Sequence, residues 1–183
     1  NFNFYRSHLK PDTKIVCMLK ASGYGAGSLE LARTLQSQGA AYIAVAAHDE
    51  GIELRKAGIT MPIMVLNPKV VNYKTLFNYH LEPEIFSYEM CHEFINEAEK
   101  YGVKDYPIHI KLDTGMHRLG FIYEELPELI NTLKSQNAVK PSSIFSHLAT
   151  ADDFEETDYA KMQLEYFEKC SNFFCSSFDF QII

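Results

Sequence analysis

Seven short runs rich in β-branched and aromatic residues recur along the chain: KIVCML (14–19), YIAVAA (42–47), PIMVLN (62–67), PEIFS (83–87), PIHIKLD (107–113), SIFSHLA (143–149) and the terminal FDFQII (178–183). Each predicts a β-strand, because continuous apolar character over so few residues suits an element covered on both faces. Between these runs the apolar spacing changes to that of a helix. Leu29, Ala32 and Leu35 share one face that stops at Gly39, and Ile52 and Leu54 begin another within DEGIELRKAG, ending at Gly58. Phe94, Ile95 and Ala98 form a third, with Ser87 placed to cap its start and Gly102 to stop it. A last helix runs through Tyr159, Met162, Tyr166, Cys170 and Phe173, a stripe that reads as core packing.

Strand and helix alternate with a repeat of roughly 20 to 36 residues. That alternation predicts βα units and a parallel sheet, hence an α/β fold. The one glycine cluster after a strand, GYGAG (23–27), lacks the spacing of a dinucleotide-binding loop. A TIM-type (β/α) barrel is therefore expected. It reads as incomplete in this chain, which opens on Asn1 inside a helix-like segment and closes on an apolar run with nothing after it.

Composition narrows the function classes. Forty-six per cent of residues are hydrophobic and 22% charged, enough apolar material for a sizeable core. A net charge of −7 and a pI near 5.5 leave no basic footprint for nucleic acid or an anionic membrane. The apolar runs fall short of the roughly 20 residues of a membrane span, and no leader pattern opens the chain, so a cytoplasmic setting is expected. Cys17, Cys91, Cys170 and Cys175 form no CxxC pair and read as reduced structural thiols. His8, His48, His80, His92 and His109 show no ligand spacing, so no metal is expected. The acidic DDFEETD (152–158) lacks the glycine and spacing of a calcium loop and reads as an acidic loop or helix start.

In a barrel of parallel strands the chemistry gathers at the carboxyl ends of the strands. The first strand ends in Lys20 with Tyr24 just beyond, the fifth holds Lys111 and Asp113 and is followed by Arg118, and the sixth holds His147, then Thr150 and Asp152. A lysine desolvated in the barrel mouth would have its charged form disfavoured, making Lys20 a Schiff-base nucleophile. The other reading of the same position is a lysine reaching from the rim to water.

Three blocks, in order, resemble those of alanine racemases. MLKASGYGAG (18–27) resembles the pyridoxal-phosphate lysine signature of that family, usually written Lys-Ala-Asn-Ala-Tyr-Gly-His-Gly; IKLDTGMHRLGF (110–121) and IFSHLATADD (144–153) resemble two more. Weaker similarity in YIAVAAHDEGIELRKAGI and PIMVLNP extends it over nearly the whole chain. The resemblance implies an eight-stranded barrel followed by a β-rich domain, with residues 1–183 a partial barrel domain. It also implies an isomerase that uses pyridoxal 5'-phosphate to interconvert L- and D-alanine through an aldimine and a carbanion, supplying D-alanine for peptidoglycan. Lys20 would hold the cofactor and act as the base on one face of the substrate Cα. Tyr24 would reach the phosphate, and Arg118 the phenolic oxygen and the substrate carboxylate. His147 would lie near the cofactor ring, and Lys111 matches a lysine carbamylated in many members, which would turn a cation beside Arg118 into an anion. A homodimer is implied as well.

Departures from the pattern are Ser22 and Gly23 in place of Asn and Ala, Ala26 in place of His, and His117 in place of Gly before the arginine. None removes a proposed catalytic group. The second base of the family, a tyrosine from the partner subunit's C-terminal domain, falls beyond residue 183, as do the arginine at the pyridine nitrogen and most of the phosphate loop. This chain alone is therefore expected to have little or no racemase activity. Two other functions fit the residues: a racemase of another small amino acid such as serine, and a non-catalytic pyridoxal-phosphate-binding barrel, against which the DTGMHRLG block argues.

Overall fold

The computed structural model describes residues 1–66 and 73–182. The chain divides into two compact units, Asn1–Pro83 and Glu84–Ile183. In the first unit, strands β1 (Val16–Met18), β2 (Tyr42–Val45), β3 (Ile63–Val65) and the start of β4 (Leu81–Ile85) are parallel, each pairing with its successor. Ile43, Val45, Ile63, Val65 and Leu81 are wholly buried, as expected for strands covered on both faces. The helices are α1 (Phe2–Ser7), α2 (Lys20–Tyr24), α3 (Ser28–Gln38), α4 (His48–Lys56) and α5 (Tyr73–Tyr79). Gly39 ends α3 in the left-handed conformation that glycine adopts without a Cβ clash. Arg55 at the end of α4 donates to four carbonyls, those of Ile59 (2.9 Å), Met61 (2.7 Å), Tyr79 (3.0 Å) and His80 (3.0 Å). One guanidinium thus fastens the segments that enter β3 and β4.

The division falls inside β4, whose first three residues pair with β3 and whose last two pair with β5 (Tyr106–Lys111). The second unit continues with α6 (Tyr88–Tyr101), α7 (Leu126–Lys134), β6 (Val139–Phe145) and α8 (Thr157–Cys175), again with parallel strands. Ser87 caps α6 by accepting from the Met90 N–H at 3.3 Å, and Gly102 stops it at φ 77°. Register between β5 and β6 shifts after Ile108, which pairs with Pro141, while His109 pairs with Ser143. Proline has no N–H to give the ladder, so a slip beside Pro141 is where the chain accommodates it.

Three departures from the sequence expectations bear on the site and on the end of the chain. First, the expected seventh strand does not form among the described residues: 178–180 make bends, and 181–182 take no regular structure. Their apolar surface goes into ring packing instead, with Phe178 centred 5.1 Å from Phe174 and 5.3 Å from Phe180, and the Lys140 ammonium 4.2 Å over Phe180. Ile183, like Asn67 at the end of the third expected strand, lies outside the described residues. Second, strands β1, β5 and β6 end earlier than their apolar runs, so Lys20, Asp113 and His147 sit in the connections rather than in strands. Third, the buried face of α8 runs through Gln163, Cys170 and Phe174, while Met162 and Phe173 are exposed. Cys170 is buried as the stripe predicts, but Gln163 and Phe174 take the places expected of Met162 and Phe173, one position along.

Ser87→Ala is expected to cost about 1 kcal/mol, the usual value of an N-cap side chain. Urea unfolding should show a lower midpoint with an unchanged slope.

Candidate functional site

In the first unit, β1 ends at Met18 and the chain turns left-handed immediately beyond it. Ala21 (φ 51°), Ser22 (φ 53°), Gly23 (φ 62°) and Tyr24 (φ 56°) all hold positive φ. Only Gly23 does so without a Cβ penalty; each of the others costs about 1–2 kcal/mol, so the turn is held from outside. A Cβ on Gly23 would also lie 2.8 Å from Leu31 Cδ1, so that side chain would have to shift. The outside hold is the Glu50 carboxylate from the first turn of α4. Its Oε1 accepts from Ala21 N–H at 2.8 Å, and its Oε2 from Ala46 and Ala47 N–H at 2.8 and 3.1 Å.

This turn presents Lys20 and Tyr24 together. Both side chains are exposed, and the Lys20 Nζ lies 6.0 Å from the centre of the Tyr24 ring. The desolvated lysine expected from the sequence is therefore not Lys20; the rim position carries its amine toward water instead.

Desolvation falls on Lys111 in the second unit. Only 7% exposed at the end of β5, its ammonium sits 4.6 Å over the Phe145 ring. Burial lowers its pKa from 10.5, Arg118 adds to the lowering, and Glu84 and Asp113 oppose it. Glu84, at the end of β4, is itself 4% exposed. Asp113 is committed to the next loop: its Oδ1 accepts from Gly115 and His117 N–H, both at 2.9 Å, and its Oδ2 lies 3.3 Å from His117 Nδ1. Those bonds hold its carboxyl below the usual range although burial works against them. The same loop carries Arg118, whose side chain is exposed.

Gly120 closes this loop against the strand end. At φ 124°, a Cβ on it would stand 2.5 Å from Asp113 N and Leu112 C, an impossible approach to backbone. Phe121 and Leu112 then form a bridge, with Phe121 N–H donating to Lys111 O at 2.9 Å and Asp113 N–H to Phe121 O at 3.0 Å.

His147 follows β6 and is exposed, with its backbone oxygen accepting from Gln163 Nε2 at 3.2 Å. Gln163 also accepts from Ala149 N–H (2.9 Å) and reaches Thr114 Oγ1 (3.4 Å), which bonds Ser146 Oγ at 2.7 Å. Tyr159 donates to Gly115 O at 2.6 Å. Helix α8 thereby ties the Arg118 loop to the His147 loop. The structure thus brings Lys20 and Tyr24 together on one turn, and Lys111, Arg118 and His147 onto connected loops at the carboxyl ends of β5 and β6.

Sequence reasoning passed over Glu50, Glu84 and Gln163. A glutamate three residues into a helix is a common capping signal, and it was present for Glu50. Glu84 and Gln163 had no local signal, since their burial follows from packing alone.

The chain matches the family model for the alanine racemase N-terminal domain over residues 1–181. It is 38% identical over 176 residues to alanine racemase of Thermodesulfovibrio yellowstonii, covering 94% of this chain and 47% of that protein. Alanine racemase 2 of Bacillus subtilis is 39% identical over 170 residues, covering 91% of this chain and 43% of that protein. Among solved structures, alanine racemase of Clostridium difficile 630 superposes with a TM-score of 0.86 at 31% identity, covering 93% of this chain and 45% of that one. The chain therefore spans less than half the length of these relatives.

Two predictions follow from the Lys111 loop. Gly120→Ala should destabilise the protein on the order of 3 kcal/mol, read as a lowered urea midpoint, because the added Cβ can move only by displacing backbone. The second concerns pH. Folded, Lys111 releases its proton below the ordinary 10.5, so between its lowered pKa and 10.5 the unfolded chain binds more protons and stability rises with pH. Below that window both states are charged and the burial cost is borne in full. Unfolding titrations from neutral pH to 10.5 should show the protein gaining stability relative to Lys111→Gln as pH rises.

Proposed function

Because the chain belongs to the alanine racemase N-terminal domain family, we propose that the protein containing it interconverts L- and D-alanine with pyridoxal 5'-phosphate as cofactor. One observation carries this reading: the lysine and tyrosine of the family's cofactor block stand on a single exposed turn beyond β1. The residues fit such a cofactor chemically. Lys20 offers a solvent-accessible primary amine to hold its aldehyde carbon, and Tyr24 a phenol on the same turn for its phosphate. By the family resemblance, Arg118 matches the residue that reaches the phenolic oxygen of that cofactor and His147 one near its ring. When bound, the cofactor supplies an electron sink that stabilises negative charge at the substrate Cα.

The chain's own residues supply the rest. The Lys20 amine would take or return the Cα proton on one face. Arg118, always charged and fork-shaped, holds the substrate carboxylate. Lys111 is carbamylated in this reading: its lowered pKa favours the neutral amine, whose lone pair adds to carbon dioxide, forming an N–C bond as a proton leaves to solvent. The resulting anion would then attract Arg118 rather than repel it.

Inversion needs a second group on the opposite face of the Cα, so this chain by itself has little or no turnover and the activity belongs to the whole protein as a homodimer. A cytoplasmic enzyme supplying D-alanine for peptidoglycan is consistent with these features. Among the described residues no helix is long and apolar enough to cross a membrane.

Borohydride reduction of the full-length protein incubated with pyridoxal phosphate, followed by peptide mapping, tests the reading. A single adduct at Lys20, lost in Lys20→Ala along with conversion of L- to D-alanine, is expected. Labelling scattered over many lysines, or unchanged in Lys20→Ala, would overturn it. Faster turnover of serine than of alanine would redirect the substrate assignment.

A further inference from the structure

The left-handed turn that carries Lys20 does not close on its own hydrogen bonds. Gly25, Ala26 and Gly27 N–H groups bond back to carbonyls of residues 21–23, but the Ala21 N–H at the start of the turn finds its acceptor in Glu50, twenty-nine residues along the chain. The other carboxylate oxygen of Glu50 takes two N–H groups at the exit of β2. One anion thus joins the connections that follow β1 and β2, neighbouring strands in register from Val16–Tyr42 to Met18–Ala44. Hydrogen bonds to an ionised acceptor are roughly twice as strong as neutral ones, and three converge here.

We propose that Glu50 is a positioning residue for the cofactor-holding lysine: its carboxylate locks the strained turn so that the Lys20 amine and the Tyr24 phenol are presented on one face. It touches no reacting atom. The proposal rests on the cofactor reading of Lys20 given above. Three of the six positive-φ residues between 21 and 27 carry a Cβ, so without the external bond the segment has every reason to relax toward right-handed or extended backbone. Any such relaxation rotates the chain at the residue next to Lys20 and separates its amine from Tyr24.

The chemistry of the carboxylate picks the informative variant. Glu50→Gln has the same shape but one acceptor oxygen, and its NH2 group cannot accept from an N–H. With the oxygen on the side of Ala46 and Ala47, where it satisfies two donors and the start of α4, the Ala21 N–H is left facing another donor. The helix and strands keep their bonds while the turn is released.

The experiment compares full-length wild type and Glu50→Gln by three readouts: unfolding midpoint, rate of borohydride-trapped pyridoxal phosphate labelling at Lys20, and hydrogen exchange of the amides of residues 21–27. Expected are a midpoint near that of the wild type, labelling slowed about ten- to a hundredfold, as for loss of a hydrogen bond to a charged group, and faster exchange confined to the turn. Labelling and turn exchange equal to the wild type would overturn the positioning role. So would a lowered midpoint with exchange accelerated evenly across the first unit, which would mark Glu50 as merely structural. If the wild type itself fails to label at Lys20, the cofactor reading falls and this proposal with it; wild-type labelling with an unaffected variant removes the positioning role alone.

Discussion

A strand that pairs on both edges with parallel neighbours can satisfy its backbone only if those neighbours run the same way, and the chain must return to the starting end before each new strand. That requirement sends every connection that leaves a strand out at the same end of its ladder, and every returning helix to the other. In each unit of this protein the consequence is direct. Lys20 and Tyr24 leave β1, and Lys111, Arg118 and His147 sit at or beyond the ends of β5 and β6, because parallel pairing allows side chains of the connections to gather only there. The buried ladders of Ile43, Ile63 and Leu81, and of Ile108 and Ile110, are the rigid base on which these connections stand.

The connections themselves are held by polar bonds rather than by apolar contact. Glu50 fixes the turn after β1, Asp113 the loop after β5, and Gln163 both that loop and the one after β6. Glu50 and Asp113 use side-chain oxygen to satisfy backbone N–H groups, whereas Gln163 accepts from Ala149 N–H and donates through Nε2 to Thr114 Oγ1 and His147 O. At two glycines of these connections a Cβ would collide: Gly23 against Leu31 and Gly120 against the backbone of Leu112 and Asp113. Rigid loops of this kind suit chemistry in which a proton must be taken from one defined face of a carbon atom.

Charge is distributed unevenly between the two lysines. Lys20 is exposed, whereas Lys111 is buried between Glu84, Asp113 and Arg118 with its ammonium on the Phe145 ring. Burial disfavours the cation at Lys111, and the two nearby carboxylates recover part of that loss. The arrangement makes the cation at Lys111 less favourable than on a free lysine, beside a guanidinium that cannot lose its proton.

Much of this was legible in the chain. Continuous apolar runs, helical spacing between them, and stops at Gly39 and Gly102 determined the α/β alternation, since these signals are local and depend on a residue and its near neighbours. The block around Lys20 determined the family resemblance. Tertiary structure alone decided where each strand stops, whether the final apolar run becomes a strand, which face of α8 is buried, and which lysine loses its water. The reason is the same in each case. A ladder ends where its partner ends, Phe178 and Phe180 lie under the Lys134 and Lys140 ammoniums that folding brings near, and Gln163, Glu84 and Lys111 are desolvated by residues distant in sequence. The local pattern carries propensity, while burial and electrostatic environment are properties of neighbours that exist only once the chain has folded.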